Sequence, residues 1–480
     1  MKNGKNEYEL IYQGKEPEDK ILSLENLPDI RKTRAFGEGD APNKLFFGDN
    51  LSVLKVLIKM KNEGRLKNAD NSDGIKLIYI DPPFSTNLEF KGKKNQKAYH
   101  DKIVGAEFIE FLRKRLILMR GLLSDDGSIY VHLDWKKAHY VKAIMDEVFG
   151  EDNFLNDIIW HYGGRGAKAI AGQFSRNHDI ILWYKKGERH IFNQLSFGKK
   201  IKKGEPGYMM DEDGKWFKTS PRGDYTDESI AMLSKENRIY RTRTGTIRIK
   251  YFLKEDGDYI IEDKLVGDVW DDIPDAMHLP FAEKTDYPTQ KPEALLARII
   301  RASSTSGDIV LDAFAGAGTT LLASEKLGRK WIGIDFGRLS IHTIERRLLK
   351  ISESKDLEEI KKTYSRQCSP FEVYTAKQPE NTEPVFEYDF YFNAVGSEFI
   401  LKIEKPEMLS SVMLDYNPTE DFFRIDEFHT LEDLKENNFE LRISAEKITE
   451  KIRIIISDIF GNEKVFEKSV EELKEGLIKT

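Results

Sequence analysis

The chain has 480 residues, 40% of them hydrophobic and 33% charged, the make-up of a globular protein of two or three domains. A single cysteine, Cys368, excludes a disulfide framework and a cysteine-built zinc site within one chain. The formal net charge of −7 is unevenly spread: residues 185–250 carry 16 Lys and Arg against 9 Asp and Glu, and residues 371–480 carry 13 against 25. Phosphate binding follows local basic surface rather than the chain total, so 185–250 stays open to nucleic acid while 371–480 does not.

The opening MKNGKNEYELIYQG lacks the apolar core of a signal peptide, and no apolar run approaches the ~18 residues of a membrane span. The expectation is a cytoplasmic chain without a membrane. Residues 1–43 read as a polar lead-in. NKLFFGDNLSVLKVLIKMKNEG predicts a short strand, a turn at Gly48-Asp49-Asn50 and an amphipathic helix. KLIYID (76–81) predicts a strand, 85–105 a polar loop, 106–123 a helix stopped by SDDG, and SIYVHLD (128–134) a strand. A helix over 136–150 ends at Gly150, and NHDIILWYKKG (177–187) is again a strand. His132 and Trp160 read as packing residues. From 188 to 285 the rhythm breaks into short β-like pieces, then resumes with a helix at 291–303, a strand at 308–314, a helix at 319–327, a strand at 330–335 and a helix at 339–354. The acidic remainder reads mostly as strands, with a turn at Gly461-Asn462. Such alternation predicts an α/β fold: a Rossmann-like, doubly wound, mostly parallel sheet split by an insertion and followed by a β-rich C-terminal domain. The expected boundaries are 44–187 and 286–365 for the two parts of the core, 188–285 for the insertion and 366–480 for an acidic domain of unassigned role.

Residues 309–335, IVLDAFAGAGTTLLASEKLGRKWIGID, place a glycine turn (Gly316, Gly318) between a strand and a helix, with Asp335 closing the next strand. Glycines admit a ligand close to the backbone, and an acid about 20 residues on suits ribose hydroxyls. A phosphate-loop site is excluded, because GxxxxGK[ST] occurs nowhere. A dinucleotide site is weakened by Leu321, which stands where a third glycine would be, and by Asp312, whose carboxylate repels a pyrophosphate. The same carboxylate attracts the ammonium and sulfonium of S-adenosylmethionine. A purely structural turn remains the bland alternative.

The second landmark is Asp81-Pro82-Pro83-Phe84 at a strand end. Methyl transfer to the amino group of adenine needs acceptors for both amino hydrogens, because the nitrogen lone pair is delocalised into the ring. Asp81 is an ionised acceptor. The Pro82 carbonyl is a second, aimed in advance because Pro82 has a fixed φ and Pro83 bars it from the helical region. Phe84 offers a ring on which a flipped base can stack. The alternative is a proline turn with Phe84 in the core.

Together IDPPF, DYPTQKPEALLARII (286–300), DAFAGAGTT and GID, in this order, resemble the amino-methyltransferases of DNA in their permuted β arrangement, most of all the modification subunits of type III restriction systems. The resemblance implies Asp81, Pro82, Pro83 and Phe84 as catalytic residues. It places Asp312, Phe314, Gly316, Gly318 and Thr319 around the methionine part of S-adenosylmethionine, Asp335 at its ribose, Asp49 at its adenine and Lys291 as a candidate for its carboxylate, and counts Asp81 among the cofactor-binding residues as well. It makes 188–285 a target recognition domain for double-stranded DNA, in which Arg241 and Arg243 read guanine edges or only phosphates. Arg165 and Lys168, in and beside the Gly163–Gly166 run, are further DNA candidates, with a plain turn as the alternative reading. No metal is expected. A restriction helicase or nuclease subunit, or a second copy of the chain, is a candidate partner. N4-cytosine methylation fits the same geometry, although the families that perform it more often carry Ser where Asp81 stands. A nicotinamide dehydrogenase and a pure DNA-specificity subunit are the remaining readings.

Overall fold

The computed structural model describes residues 9–83, 89–91, 97–100, 105–162, 174, 176–280, 283–285, 287–359, 361–376, 389–404, 408–418 and 421–474. It divides into two compact units: Met1–Asn193 with Asp268–Thr480, and Gln194–Gly267.

The larger unit is built on an eleven-stranded sheet. In chain order its strands are β1 (Arg31–Phe36), β2 (Asn43–Phe47), β3 (Ile75–Ile80), β4 (Leu123–Leu133), β5 (Phe154–His161), β6 (His178–Lys185), β7 (Val269–Trp270), β8 (Ile309–Asp312), β9 (Lys330–Asp335), β10 (Phe371–Thr375) and β11 (Phe423–Ile425). Their spatial order is β7-β5-β6-β4-β3-β8-β9-β2-β10-β1-β11. The block from β4 through β3, β8, β9 and β2 to β10 is parallel throughout, while β6 runs antiparallel to both β4 and β5. Every residue of β3 and β8 is buried, as expected of inner parallel strands covered on both faces. Lys76 is the polar exception in β3. It lies at the strand start, where its ammonium reaches Asp70 and Asp126 at 2.8 Å each, so the buried charge is compensated.

Six helices serve this sheet: α1 (Asn50–Asn62), α2 (Gly105–Leu122), α3 (Ala138–Phe149), α4 (Glu293–Ser303), α5 (Thr319–Lys326) and α6 (Arg338–Leu349). The first three pack side by side and bury Val53, Leu57, Leu112, Leu116, Val141 and Met145 with Ile78 and Ile80 of β3. Helices α4 and α5 pack on each other and touch β3 and β8 respectively. Strand β5 was recognised in the sequence only as a strand-like segment around Trp160, without bounds. Its FLNDIIWH is interrupted by polar residues, and only Ile158 and Trp160 in it are fully buried.

The strands after 366 share a core with the main sheet. Met413, Phe423, Ile425 and Ile455 cluster with Leu45, Trp331 and Phe371. A buried ion triad reinforces that seam: Arg34 of β1 binds both oxygens of Glu345 on α6 and also pairs with Glu463. The smaller unit, by itself, has a three-stranded and a four-stranded antiparallel sheet and one helix, Asp227–Lys235. Its ends are tied by a hydrogen bond from Val266 N to Leu195 O.

Candidate active site

Strands β3 and β8 lie side by side with Asp312 level with Tyr79. The two sequence landmarks, some 230 residues apart, therefore leave the sheet together at its carboxyl edge, where open α/β sheets bind ligands. Asp81 follows β3 directly. Its Oδ2 accepts a hydrogen bond from the Lys291 ammonium, and both side chains are mostly buried. Its Oδ1 is buried and has no hydrogen-bond partner among the described residues. A buried acceptor left unmatched costs stability, so such an atom marks a place where a donor is meant to arrive. Pro82 and Pro83 are described and complete the rigid exit; Phe84 lies outside the described residues.

Lys291 comes from the turn before α4. Thr289, two residues earlier, has φ +63°, a conformation rare for a β-branched residue. Gln290 pins the turn by accepting from Thr285 N at 2.8 Å and donating to Glu283 O at 2.7 Å. The expectation that Lys291 meets the cofactor's carboxylate thus acquires a neighbour that sequence did not suggest, the Asp81 carboxylate.

The glycine turn is tightly determined. Gly316 and Gly318 have φ of +51° and +77°, in the left-handed region. A Cβ on Gly318 would stand 2.6 Å from Ile344 Cγ1, and one on Gly316 3.4 Å from the Tyr287 ring. Asp312 is buried beneath the turn, with its oxygens held by Phe314 N at 3.0 Å and Thr320 Oγ1 at 2.5 Å. Burial pushes its carboxyl up to about 7, and the nearby Asp81 and Asp335 carboxylates push the same way. Asp335 is also raised by burial. Its two oxygens accept from Gly316 N and Gly337 N, at 2.8 Å each. Asp335 therefore braces the turn, with only its remaining lone pairs left for a ribose. Thr319 Oγ1 accepts from Arg347 at 3.2 Å. Phe314 is half-buried and tilted against Phe111.

Asp49 caps α1 by accepting from Ser52 N at 3.0 Å, and its other oxygen accepts from Arg115 Nη2 at 3.0 Å. The neighbouring Asn50 donates to Ala313 O at 2.7 Å, and Gly48 N to Asp335 O at 2.9 Å. Three loops that sequence reading placed around one cofactor, at 48–50, 313–318 and 335–337, are thus also tied to one another by hydrogen bonds.

Sequence reading missed several residues here. Tyr79 Oη lies 2.8 Å from His132 Nδ1, and His132 Nε2 lies 3.2 Å from Asp179 Oδ2. His132, read as mere packing, bridges a buried tyrosine and a carboxylate right behind Asp81; Trp160 does pack, edge-on, against it. The His132 hydrogen bonds and the Lys291 charge outweigh burial and lower Asp179. Tyr287 covers the glycine turn, and Phe336 is 58% exposed beside Asp335. The aromatic after the strand-ending acid was the one available signal for Phe336. No pattern pointed to Tyr79–His132–Asp179, because its members come from three different strands.

In the smaller unit, Arg241 and Arg243 flank the tip of a hairpin between Ile239–Arg241 and Ile247–Phe252. Both side chains are exposed, and Thr242 N bonds Thr246 O to close the turn. Arg165 and Lys168 lie outside the described residues. Among the described residues no group of His, Cys, Asp and Glu is arranged to hold a metal ion, and no helix is long and apolar enough to cross a membrane.

Comparisons with known proteins bear on this site. Residues 75–346 match the family model described as DNA methylase. The type II methyltransferase M.EcaI of Enterobacter cloacae is 32% identical over 70% of this chain and 77% of its own length. The probable type III restriction-modification enzyme HindVI Mod subunit of Haemophilus influenzae is 28% identical over 62% of this chain and 48% of its own length, so the chain spans about half of that relative. The DNA adenine methyltransferase YhdJ of Escherichia coli is 26% identical over 68% of this chain and 90% of its own length.

Proposed function

The chain belongs to the DNA methylase family, and from that premise we propose that it transfers a methyl group from S-adenosylmethionine to the N6 amino group of adenine in duplex DNA, within a restriction-modification setting. One observation carries the reading: Asp81, with an unpartnered buried oxygen, stands at the strand end adjacent to the glycine turn. Two relatives support the choice of base and setting by their names, an adenine methyltransferase and a modification subunit.

The residues fit the cofactor. S-adenosylmethionine supplies a methyl group on a sulfonium centre and brings an ammonium with it. Asp312 is the buried carboxyl under the turn, and ionised it would hold a cation. Gly316 and Gly318 keep side chains out of the approach, the rim at Asp49 and Asp335 presents acceptors, and Phe336 offers an apolar face. Lys291 is the cation for a carboxylate.

The chain's own groups then do the following. The amino group of a flipped base donates one hydrogen to Asp81 and one to the Pro82 carbonyl. These acceptors pull the nitrogen toward tetrahedral geometry and stabilise the positive charge it develops. Each charge-assisted bond contributes about 1.5–3 kcal/mol, roughly tenfold to a hundredfold in rate. Lys291 keeps its contact with Oδ2 of Asp81 while the amino group takes Oδ1. Phe84 would stack on the base. We assign Gln194–Gly267, with Arg241 and Arg243, to target recognition, and Arg165 and Lys168 to the DNA backbone.

The test is direct. The chain is incubated with unmethylated DNA and methyl-labelled cofactor, and the DNA is digested to nucleosides. Labelled N6-methyladenine is expected. Labelled N4-methylcytosine would move the target to cytosine, and no label in DNA from a folded, cofactor-binding chain would refute methyl transfer altogether.

A further inference from the structure

Beside the candidate active site lies a basic aromatic patch to which neither the motifs nor the comparisons give a role. It rises from the carboxyl end of β4. Val131 pairs with Ile80, so His132 is level with Asp81 on the neighbouring strand, about 4.8 Å away, and β4 runs on to Leu133 before it leaves the same edge of the sheet. The chain then turns through Asp134, Trp135, Lys136 and Lys137 into α3. Asp134 makes this turn rigid: its Oδ1 accepts from Lys136 N at 3.0 Å and Lys137 N at 2.9 Å, and its carbonyl accepts from Ala138 N at 3.1 Å. Trp135, 36% exposed, carries the guanidinium of exposed Arg176 at 3.9 Å from its ring centre. Arg176 precedes β6, whose antiparallel pairing with β4 brings it to this same edge.

The Lys137 ammonium lies 5.0 Å from the ring centre of buried Phe108, and that of Lys136 5.6 Å from the Trp135 ring centre. Neither makes an ion pair among the described residues. A cation just before a helix opposes the helix dipole instead of complementing it. The one carboxylate in the turn, Asp134, already has an oxygen committed to backbone N–H groups. Three cations, stiffened by an arginine–tryptophan stack and one strand from an unpartnered catalytic oxygen, match a polyanion lying across the mouth of the site.

We propose that Trp135, Lys136, Lys137 and Arg176 form the seat for the phosphodiester backbone of the strand that presents the target base. Lys136, Lys137 and Arg176 neutralise phosphates. Trp135 holds the arginine plane in place. This rests on the reading that duplex DNA is the substrate, and it places part of the DNA grip on the catalytic unit itself, apart from Gln194–Gly267.

The experiment measures binding of the full chain to a long unmethylated duplex over a salt series, with S-adenosylhomocysteine present, by fluorescence anisotropy. Each lost phosphate contact lowers the slope of log K against log[salt] by roughly 0.9. K136A/K137A is expected to lower that slope by roughly 1.8 while leaving S-adenosylhomocysteine binding, read by calorimetry, at the wild-type value. W135A should weaken DNA binding several-fold with a smaller change of slope. An unchanged slope in K136A/K137A overturns the proposal. So does an equal loss in K361A/K435A, because net charge alone would then explain the effect. If the wild-type chain binds no DNA under any salt, the substrate reading fails and this one with it.

Discussion

The two oxygens of Asp81 are in unlike circumstances. Oδ2 carries the Lys291 ammonium and Oδ1 has no partner among the described residues, which is costly unless a donor is due to arrive. Asp81→Asn should therefore cut methyl transfer at least tenfold to a hundredfold while S-adenosylhomocysteine still binds; wild-type turnover in this variant would remove Asp81 from the chemistry. Asp312 gives a pH prediction. Its folded carboxyl is raised by burial from an ordinary carboxylate value to about 7, so the folded chain keeps a proton that the unfolded chain has released. The contribution to stability is fully present below the unfolded value, near 4, and is lost as pH rises to about 7, with a slope of up to about 1.4 kcal/mol per pH unit. A cationic cofactor prefers the ionised form, so its affinity should weaken as pH falls below about 7. Asp312→Asn should flatten both profiles, as read by urea unfolding and by cofactor calorimetry at a series of pH values. Parallel profiles for the two proteins would show that Asp312 does not titrate there.

Among the elements, the turn between β8 and α5 depends most on particular residue types. At Gly318 a methyl group would strike Ile344, and the positive φ adds strain. Gly318→Ala is expected to cost about 1–3 kcal/mol and to weaken cofactor binding, measured by chemical denaturation and calorimetry. A variant as stable as wild type with unaltered binding would show that the turn relaxes freely. This element was legible in the sequence because glycines at fixed spacing between a strand and a helix have a local cause. The hydrogen bonds that tie it to its neighbouring loops were not legible. Asn50 reaches Ala313, and Gly48 reaches Asp335, across more than 250 residues of chain. Asp335, assigned to a ribose from its place at a strand end, also braces Gly316, and that bond exists only once β8 and β9 lie side by side.

At the scale of the whole molecule, Gln194–Gly267 has its own sheets and ends joined by a backbone hydrogen bond, so a short bridge can replace it. Excising 195–266 should leave S-adenosylhomocysteine binding intact and abolish site-specific methylation; a truncated chain that still methylates its usual sites would place recognition elsewhere. The acidic C-terminal strands behave otherwise. They share the cluster of Trp331 and Phe371 and hold Arg34 between Glu345 and Glu463. Arg34→Met would leave the buried Glu345 carboxylate without its cation and should destabilise the larger unit by about 3–5 kcal/mol, seen as a lower urea midpoint. The net charge of 371–480 spoke against a DNA surface, but nothing in it revealed this seam, since pairing between distant charges leaves no periodic trace. Sequence alone was enough for the alternation of strands and helices, the proline exit at 81–83 and the glycine turn, because periodicity, fixed proline φ and glycine's freedom act within a few residues. Tertiary structure alone decided that Lys291 would meet Asp81, that His132 would bridge Tyr79 and Asp179, and that Trp135 and Arg176 would stack beside them. Those contacts join side chains from separate strands and loops, and only the sheet order brings them within hydrogen-bonding or stacking distance.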